Sequence, residues 1–408
     1  MSVVINGAGL SHSFIPAGST TVKHEHLTSP DDITVLGHDI YTAFQNGVGP
    51  QGQPSTDGND DSTVVEFTPN GHVVHQWDLH GKCDGITADT QRGILIATID
   101  EDANSSVYTI KPSAKPSKQV VHYQYNVSPL PQHGGTDAIS IYHGLLLVSA
   151  SAPGTVPATP AAPQPMFPAV YILKFNPGKH IATMKPLFYD EANATVANVN
   201  SPDYGKTVKL ALTDPDSNEI VPASGPRFAG DFMLTSQGDM EQIFILRKGK
   251  LGSHLAVLKL TNSVDDTAWI RSPFGRLFAA STSQGTIDMI TGPFRPGTIF
   301  TAVTPCDAND APATCPAPGL PAELLWPAEP VHWPAHGGAS HRCHARAPGH
   351  GVHRTALEHR ARLTLTYAKG TTETAAAPAA AVSHVRGQSR ADYQDGAAGA
   401  PGGLTPPR

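Results

Sequence analysis

The sequence predicts an all-β chain, a six-bladed β-propeller with an incomplete closing blade, followed by a disordered or non-native C-terminal tail. Three observations carry that expectation. Short apolar stretches bounded by Gly, Pro and Asn recur roughly every eight to twelve residues, the rhythm of strands and tight turns. Helical periodicity is scarce. One acidic-led pattern of two apolar strands also returns along residues 21–319, and its period suits a radial array better than a sandwich.

The copies of that pattern run in order. Asp32–Phe44, Asp84–Thr98 and Asp137–Ala150 are the clearest, and Asp231–Ile245 and Asp266–Ala280 are fainter. Their leading Asp residues lie 52, 53, 94 and 35 positions apart, so the first two intervals fit one four-stranded blade each. The 94-residue interval fits one blade with a long insertion or two imperfect blades. Between the copies lie outer strands: Ser62–Trp77 reads as a hairpin turning at Pro69, Asn70 and Gly71, and Ser106–Ile110 and Ala169–Lys179 repeat that design. Ala150–Pro168, with Pro at 153, 157, 160, 163, 165 and 168, is too rich in proline for a helix or central strand and is expected as an extended surface loop.

Composition divides the chain into an N-terminal extension over 1–20, a propeller domain over 21–319 and a low-complexity tail over 320–408. The first 319 residues hold 19 Lys and Arg against 29 Asp and Glu, whereas the last 89 hold 9 against 6. That tail carries 8 of the 20 His, has no Ile, Phe or Asn, and offers no period to bury outside a strand-like Leu363–Tyr367. A change of reading frame between Pro318 and Leu325 would account for its composition, and its His residues lack the paired spacing of a built metal site. Either way the ring lacks its last blade, and the sequence predicts exposed edges there.

Three short openings, Ser29–Ile33, Lys82–Ile86 and Gly135–Ile139, resemble the blade entrances of the NHL-repeat and gluconolactonase-like six-bladed propellers, over about residues 20–315. More narrowly, Phe44–Gly52, Asp100–Ser106 and Thr304–Asn309 resemble a group of uncharacterised bacterial secreted propeller proteins. The resemblance implies a fold and an extracellular or cell-surface location, and brings no activity with it. Met1–Leu10 lacks a basic region followed by a long apolar run, so no signal peptide is visible, and a clipped or misassigned start is expected.

The acidic positions are the chemical lead. Asp32, Asp84, Asp137, Asp231 and Asp266, read as one repeat position, would converge at one mouth of the central channel, where crowded carboxylates favour a hard cation such as Ca²⁺. The same residues equally suit turns in which each carboxylate accepts backbone N–H bonds. Three segments alternate oxygen ligands: Asp57, Asn59 and Asp61; Asp100, Asp102 and Asn104; and Asp214, Asp216 and Asn218, with Glu219 adjacent. None has the Gly and Glu of an EF-hand, so each is either a weak Ca²⁺ loop or a solvated turn. Gly-x-Ser-x-Gly is absent, which argues against a serine nucleophile. His133 and His143 would stand beside the channel carboxylates in a lactonase-type site. Cys306 and Cys315 bracket a short polar loop that suits a local disulfide in an oxidising compartment, while Cys83 and Cys343 stand apart.

Some classes are excluded. A net charge of −7, with no cluster of Lys or Arg among aromatics, excludes a nucleic-acid partner. No apolar run approaches the roughly 18 residues of a membrane span. The expected function is a non-enzymatic extracellular binding scaffold stabilised by Ca²⁺. It would act as a monomer and present its channel mouth to a small molecule or protein. A metal-dependent lactonase-like hydrolase using the channel carboxylates is the alternative.

Overall fold

The computed structural model describes residues 1–16, 18–127, 130, 134–151 and 167–303, together with the backbone of 380–381. The rest of the tail, the Cys306–Cys315 loop, Cys343, His133 and residues 152–166 of the Pro-rich insertion lie outside the described residues.

Alternating apolar residues and glycine-bearing turns fold the chain into successive antiparallel sheets. After β1 (Ser2–Asn6) and a hairpin of β2 (Ser11–Phe14) and β3 (Lys23–His26), the first sheet pairs β4 (Pro30–Leu36), β5 (Asp39–Phe44), β6 (Asp61–Phe67) and β7 (Val73–His80) in sequence order. β8 (Cys83–Asp89), β9 (Ile94–Ile99), β10 (Ser106–Ile110) and β11 (Val120–Tyr125) form the second, and β12 (Gly135–Tyr142), β13 (Leu145–Ser151), β14 (Pro168–Asn176) and β15 (Ile181–Tyr189) the third. A short parallel contact of β11 with β15 joins the outer edges of these two. β16 (Asn193–Val196) and β17 (Thr207–Lys209) then extend the outer edge of the fourth sheet, β18 (Pro215–Ile220), β19 (Phe232–Ser236), β20 (Glu241–Ile245) and β21 (Leu255–Lys259). The last part of the ring is divided. β22 (Val264–Trp269) pairs with β25 (Ile299–Val303), while β23 (Phe274–Ser281) pairs with β24 (Thr286–Pro293), β24 with β1, and β23 in parallel with the two residues of β26 (Ala380–Ala381).

The apolar faces pack sheet on sheet. Six buried clusters among the described residues follow the ring. Tyr41, Val64 and Leu79 of the first sheet meet Ile86, Leu95 and Ala97 of the second. Ile96 and Val107 meet Val148 and Tyr171 of the third, and Leu147 and Phe188 meet Phe232 and Ile243 of the fourth. Met233 and Phe244 meet Trp269 and Ile299, and Ala268 and Phe300 meet Leu277 and Ile290. Phe278 and Ile287 then meet Ile5, Ile40 and Phe67, which returns to the first sheet. The order of contacts is that of a closed propeller.

Two expectations change. Asp231–Ile245 supplies the second and third strands of its sheet, because the inner strand is Pro215–Ile220, a segment the oxygen-ligand spacing suggested was a loop. The two strands within Asp266–Ala280 belong to different sheets. The turn Thr68–His72 closes as expected, with Gly71 at φ +83° and so close to β1 that a Cβ there would lie 2.1 Å from the Val4 carbonyl oxygen.

Candidate functional site

Five inner strands, β4, β8, β12, β18 and β22, stand side by side around a central cavity of about 400 Å³. Each shifts register by the same step against its neighbour: between Pro30 and Ile33, Cys83 and Ile86, Thr136 and Ile139, Pro215 and Asn218, and Val264 and Thr267. The first residue inside every bulge is an aspartate: Asp31, Asp84, Asp137, Asp216 and Asp265. All five are buried. They lie 53, 53, 79 and 49 residues apart, a more regular series than the one expected.

The expected set is therefore one residue out of register at two places and misplaced at a third. Asp84 and Asp137 occupy the bulge position. Asp32 and Asp266 follow it, which turns them toward the cavity that they line. Asp231 lies just before β19, outside that lining, and pairs with Arg247 at 3.2 Å. The signal that finds the true register is the Asp-x-Ile-Thr/Ser shared by Asp31–Thr34, Asp84–Thr87 and Asp137–Ser140. Two adjacent Asp residues at 31–32 and at 265–266 hid it.

The bulge residues bind sheets to one another. Gln45 Nε2 donates to Asp31 Oδ2 at 2.6 Å and to Asp84 Oδ1 at 3.0 Å, joining the first two sheets. The buried Lys82 ammonium neutralises Asp84 at 2.7 Å and also pairs with Glu101. Asp32 accepts N–H bonds from Ile33 at 2.6 Å and from Ile86 of the next sheet at 2.8 Å. Thr98 Oγ1 donates to the Asp137 carbonyl at 2.6 Å, and Ser149 Oγ to the Asp216 carbonyl at 2.7 Å. For Asp32, the turn-type alternative in which the carboxylate accepts backbone N–H groups is what the geometry displays.

The cavity itself is polar and acidic. Asp32, Thr34, Thr87, Ser140, Asn218, Glu219, Asp266 and Trp269 line it, with exposed Arg271 beside them. Burial pushes the Glu219 carboxyl well above its ordinary value, the negative charge of Asp266 adds to that, and Arg271 opposes it. Asn218 gives its Nδ2 to the Ala138 carbonyl at 2.7 Å, while its Oδ1 and Glu219 Oε1 are buried without a hydrogen-bond partner among the described residues. Orphaned oxygens of this kind are what a cation or a donor-rich ligand engages. Sequence reasoning passed over Glu219 as a neighbour of a loop; once Pro215–Ile220 is a strand, period 2 separates it from bulged Asp216.

The remaining candidates resolve simply. His143 sits at the tip of the β12–β13 hairpin, exposed, with φ +48° before Gly144 at +80°, so it is a turn residue and not a channel base. Asp100, Asp102 and Asn104 dock a loop: Asp100 Oδ1 accepts the Lys82 N–H at 2.8 Å, the Asp102 N–H donates to Pro50 and Asn104 Nδ2 to Gln51. Burial raises the Asp100 carboxyl to about 6. Among the described residues neither these nor the cavity carboxylates form a trio at metal-ligand distance, whereas Asp60, Asp61 and His80 do.

Fold and cavity together define an all-β propeller with a polar, acidic centre. The chain is similar to a structure of a nidogen–laminin complex (11% identity, 59% of this chain and 73% of that one, TM-score 0.31). It is similar also to an auxiliary nutrient binding protein from Bacteroides ovatus (10%, 56% and 48%, 0.32) and to the Swd1 β-propeller domain of Myceliophteria thermophila (11%, 70% and 84%, 0.33). At these scores the propeller reading rests on the strand pairing above. No family model matches the chain. No curated protein matches it either. Among the described residues no helix is long and apolar enough to cross a membrane.

Proposed function

We propose that this chain is a non-enzymatic binding scaffold, a six-bladed propeller that takes a small, positively charged ligand in its central cavity. The observation that carries the reading is the convergence of five inner strands on one central, net-acidic space of ligand size. The six apolar clusters support a count of six blades, with β22–β25 and β23–β24–β1 taken as the last two. Calcium is the simplest occupant: Asn218 Oδ1 and Glu219 Oε1 are oxygen donors suited to it, and water would complete its six to eight ligands. An extracellular or cell-surface monomer belongs to the same proposal.

Thermal melting during a calcium titration tests it, since a ligand that binds only the native state raises the melting temperature. The expected result is an upward shift at millimolar calcium that Glu219→Gln abolishes. A melting curve indifferent to calcium removes the metal from the reading. Lactone turnover lost in Asp266→Asn would replace the scaffold by a hydrolase.

A further inference from the structure

A second, separate cluster lies at the start of β6 and the end of β7. Asp61 and His80 are direct cross-strand partners, and the Asp60 carbonyl accepts the Gly81 N–H at 2.8 Å, so the hairpin itself fixes all three residues. His80 Nδ1 stands 3.5 Å from Asp61 Oδ1 and 3.6 Å from Asp60 Oδ1, with the ligand atoms of all three within 4.8 Å of one another. Those separations are too long for a good hydrogen bond. They match the roughly 3.4 Å between ligands that each lie about 2.1 Å from one tetrahedral ion.

The surroundings add an independent observation. His80 also lines a cavity of about 370 Å³ with Asp100, Ser106 and His122. Asp100 is only 7% exposed, and its Oδ2 lies against Gly52, whose left-handed φ of +78° favours glycine and where a Cβ would stand 2.8 Å from that oxygen. Gly81 is needed in the same way, since a Cβ there would meet Ile99 Cγ2 at 2.2 Å and Asp100 Oδ1 at 2.7 Å. Two glycines and a strand register therefore hold a buried carboxylate beside the imidazole. Across the cavity His122 is fixed by Ser106 Oγ at 2.8 Å and by stacking on Tyr108 at 4.2 Å.

We propose that Asp60, Asp61 and His80 bind a divalent transition metal of the zinc class, with the fourth coordination position open toward the cavity lined by Asp100, Ser106 and His122. One imidazole nitrogen with two carboxylate oxygens suits zinc and disfavours calcium, whose ligands are oxygens. Three protein ligands with one open position is the pattern of zinc sites that admit water or a small anion. The site is independent of the central cavity and of the function assigned there.

The test is zinc binding by isothermal titration and melting on the full chain, comparing it with His80→Ala and Asp61→Asn. The eight histidines of the last 89 residues form an internal background that these variants leave untouched. The expected result is that one equivalent of zinc, and the melting shift that goes with it, is lost in both variants or weakened at least tenfold. Melting without metal checks folding, and His80→Gln offers a second variant of similar size. Unchanged stoichiometry and shift in the variants would assign zinc to the tail and overturn the site. A shift produced by calcium and not by zinc would overturn it as well.

Discussion

Asp100 holds its carboxyl almost wholly out of water, with a single backbone N–H on Oδ1 as its main compensation. Because its folded pKa is raised to about 6, the protonated form is favoured in the native state. The stability this provides is fully present below about pH 4 and is lost as pH rises through 6. The rise of about two units corresponds to ~3 kcal/mol, and partial solvent screening reduces that to on the order of 1–2 kcal/mol. Asp100→Asn keeps the Oδ1 acceptor and tolerates the left-handed backbone at φ +62°. In a metal chelator, urea unfolding of this variant at pH 4 and pH 7.5 should show a flatter pH dependence than the parent and higher stability at pH 7.5. Equal slopes would mean that Asp100 is already ionised when folded. At this scale the sequence revealed that aspartate repeats, but not which aspartate: register is a property of the bulge, and Asp31 and Asp32 look alike until the pairing is known.

The element that repeats is a bulged inner strand latched to its neighbour by a hydroxyl. β9 and β13 each place one, Thr98 and Ser149, onto the carbonyl of the bulge aspartate in the next sheet, Asp137 and Asp216. Ser217 does the same to Asp265, from the neighbouring inner strand. A bulge leaves a carbonyl outside the ladder, and buried as it is, that oxygen needs a donor. Thr98→Val keeps the shape but takes the donor from the Asp137 carbonyl and the acceptor from the Gly85 N–H, at a cost of about 1–3 kcal/mol for each group left without a partner. Urea titration should show that loss with an unchanged slope; a variant as stable as the parent would show that the latch contributes nothing. The hairpins at Asp32–Phe44, Ser62–Trp77 and Asp84–Thr98 were legible because turn residues and alternation are local. The inner strand at Pro215–Ile220 was not, since Pro, Asp, Ser, Asn and Glu disfavour strands and only packing between two neighbouring blades places them in one.

At the scale of the whole molecule the question is how the ring shuts. Its ends meet where β1 pairs with β24, the Gly7 N–H reaches the Gly285 carbonyl at 2.8 Å, and Thr282 Oγ1 reaches the Pro30 carbonyl at 2.9 Å. Ile5 is 3% exposed in the cluster that joins Phe278 and Ile287 to Ile40 and Phe67. The extension over 1–20, set apart from the propeller on composition, thus supplies a strand to the last sheet, a long-range pairing that no local pattern announces. Ile5→Ala removes most of a buried side chain at the closure and should cost about 2–5 kcal/mol. Deleting residues 1–6 should cost more, because it also bares the β24 edge, and the truncated chain should self-associate through that edge. Deleting 325–408 removes, among the described contacts, the two-residue pairing of β26 with β23 and the contacts of β26 with β4 and β22, and should cost less than either change. Urea unfolding and light scattering of the three variants rank these effects. If loss of the tail proves the most damaging of the three, closure runs through the C-terminal segment and not through β1.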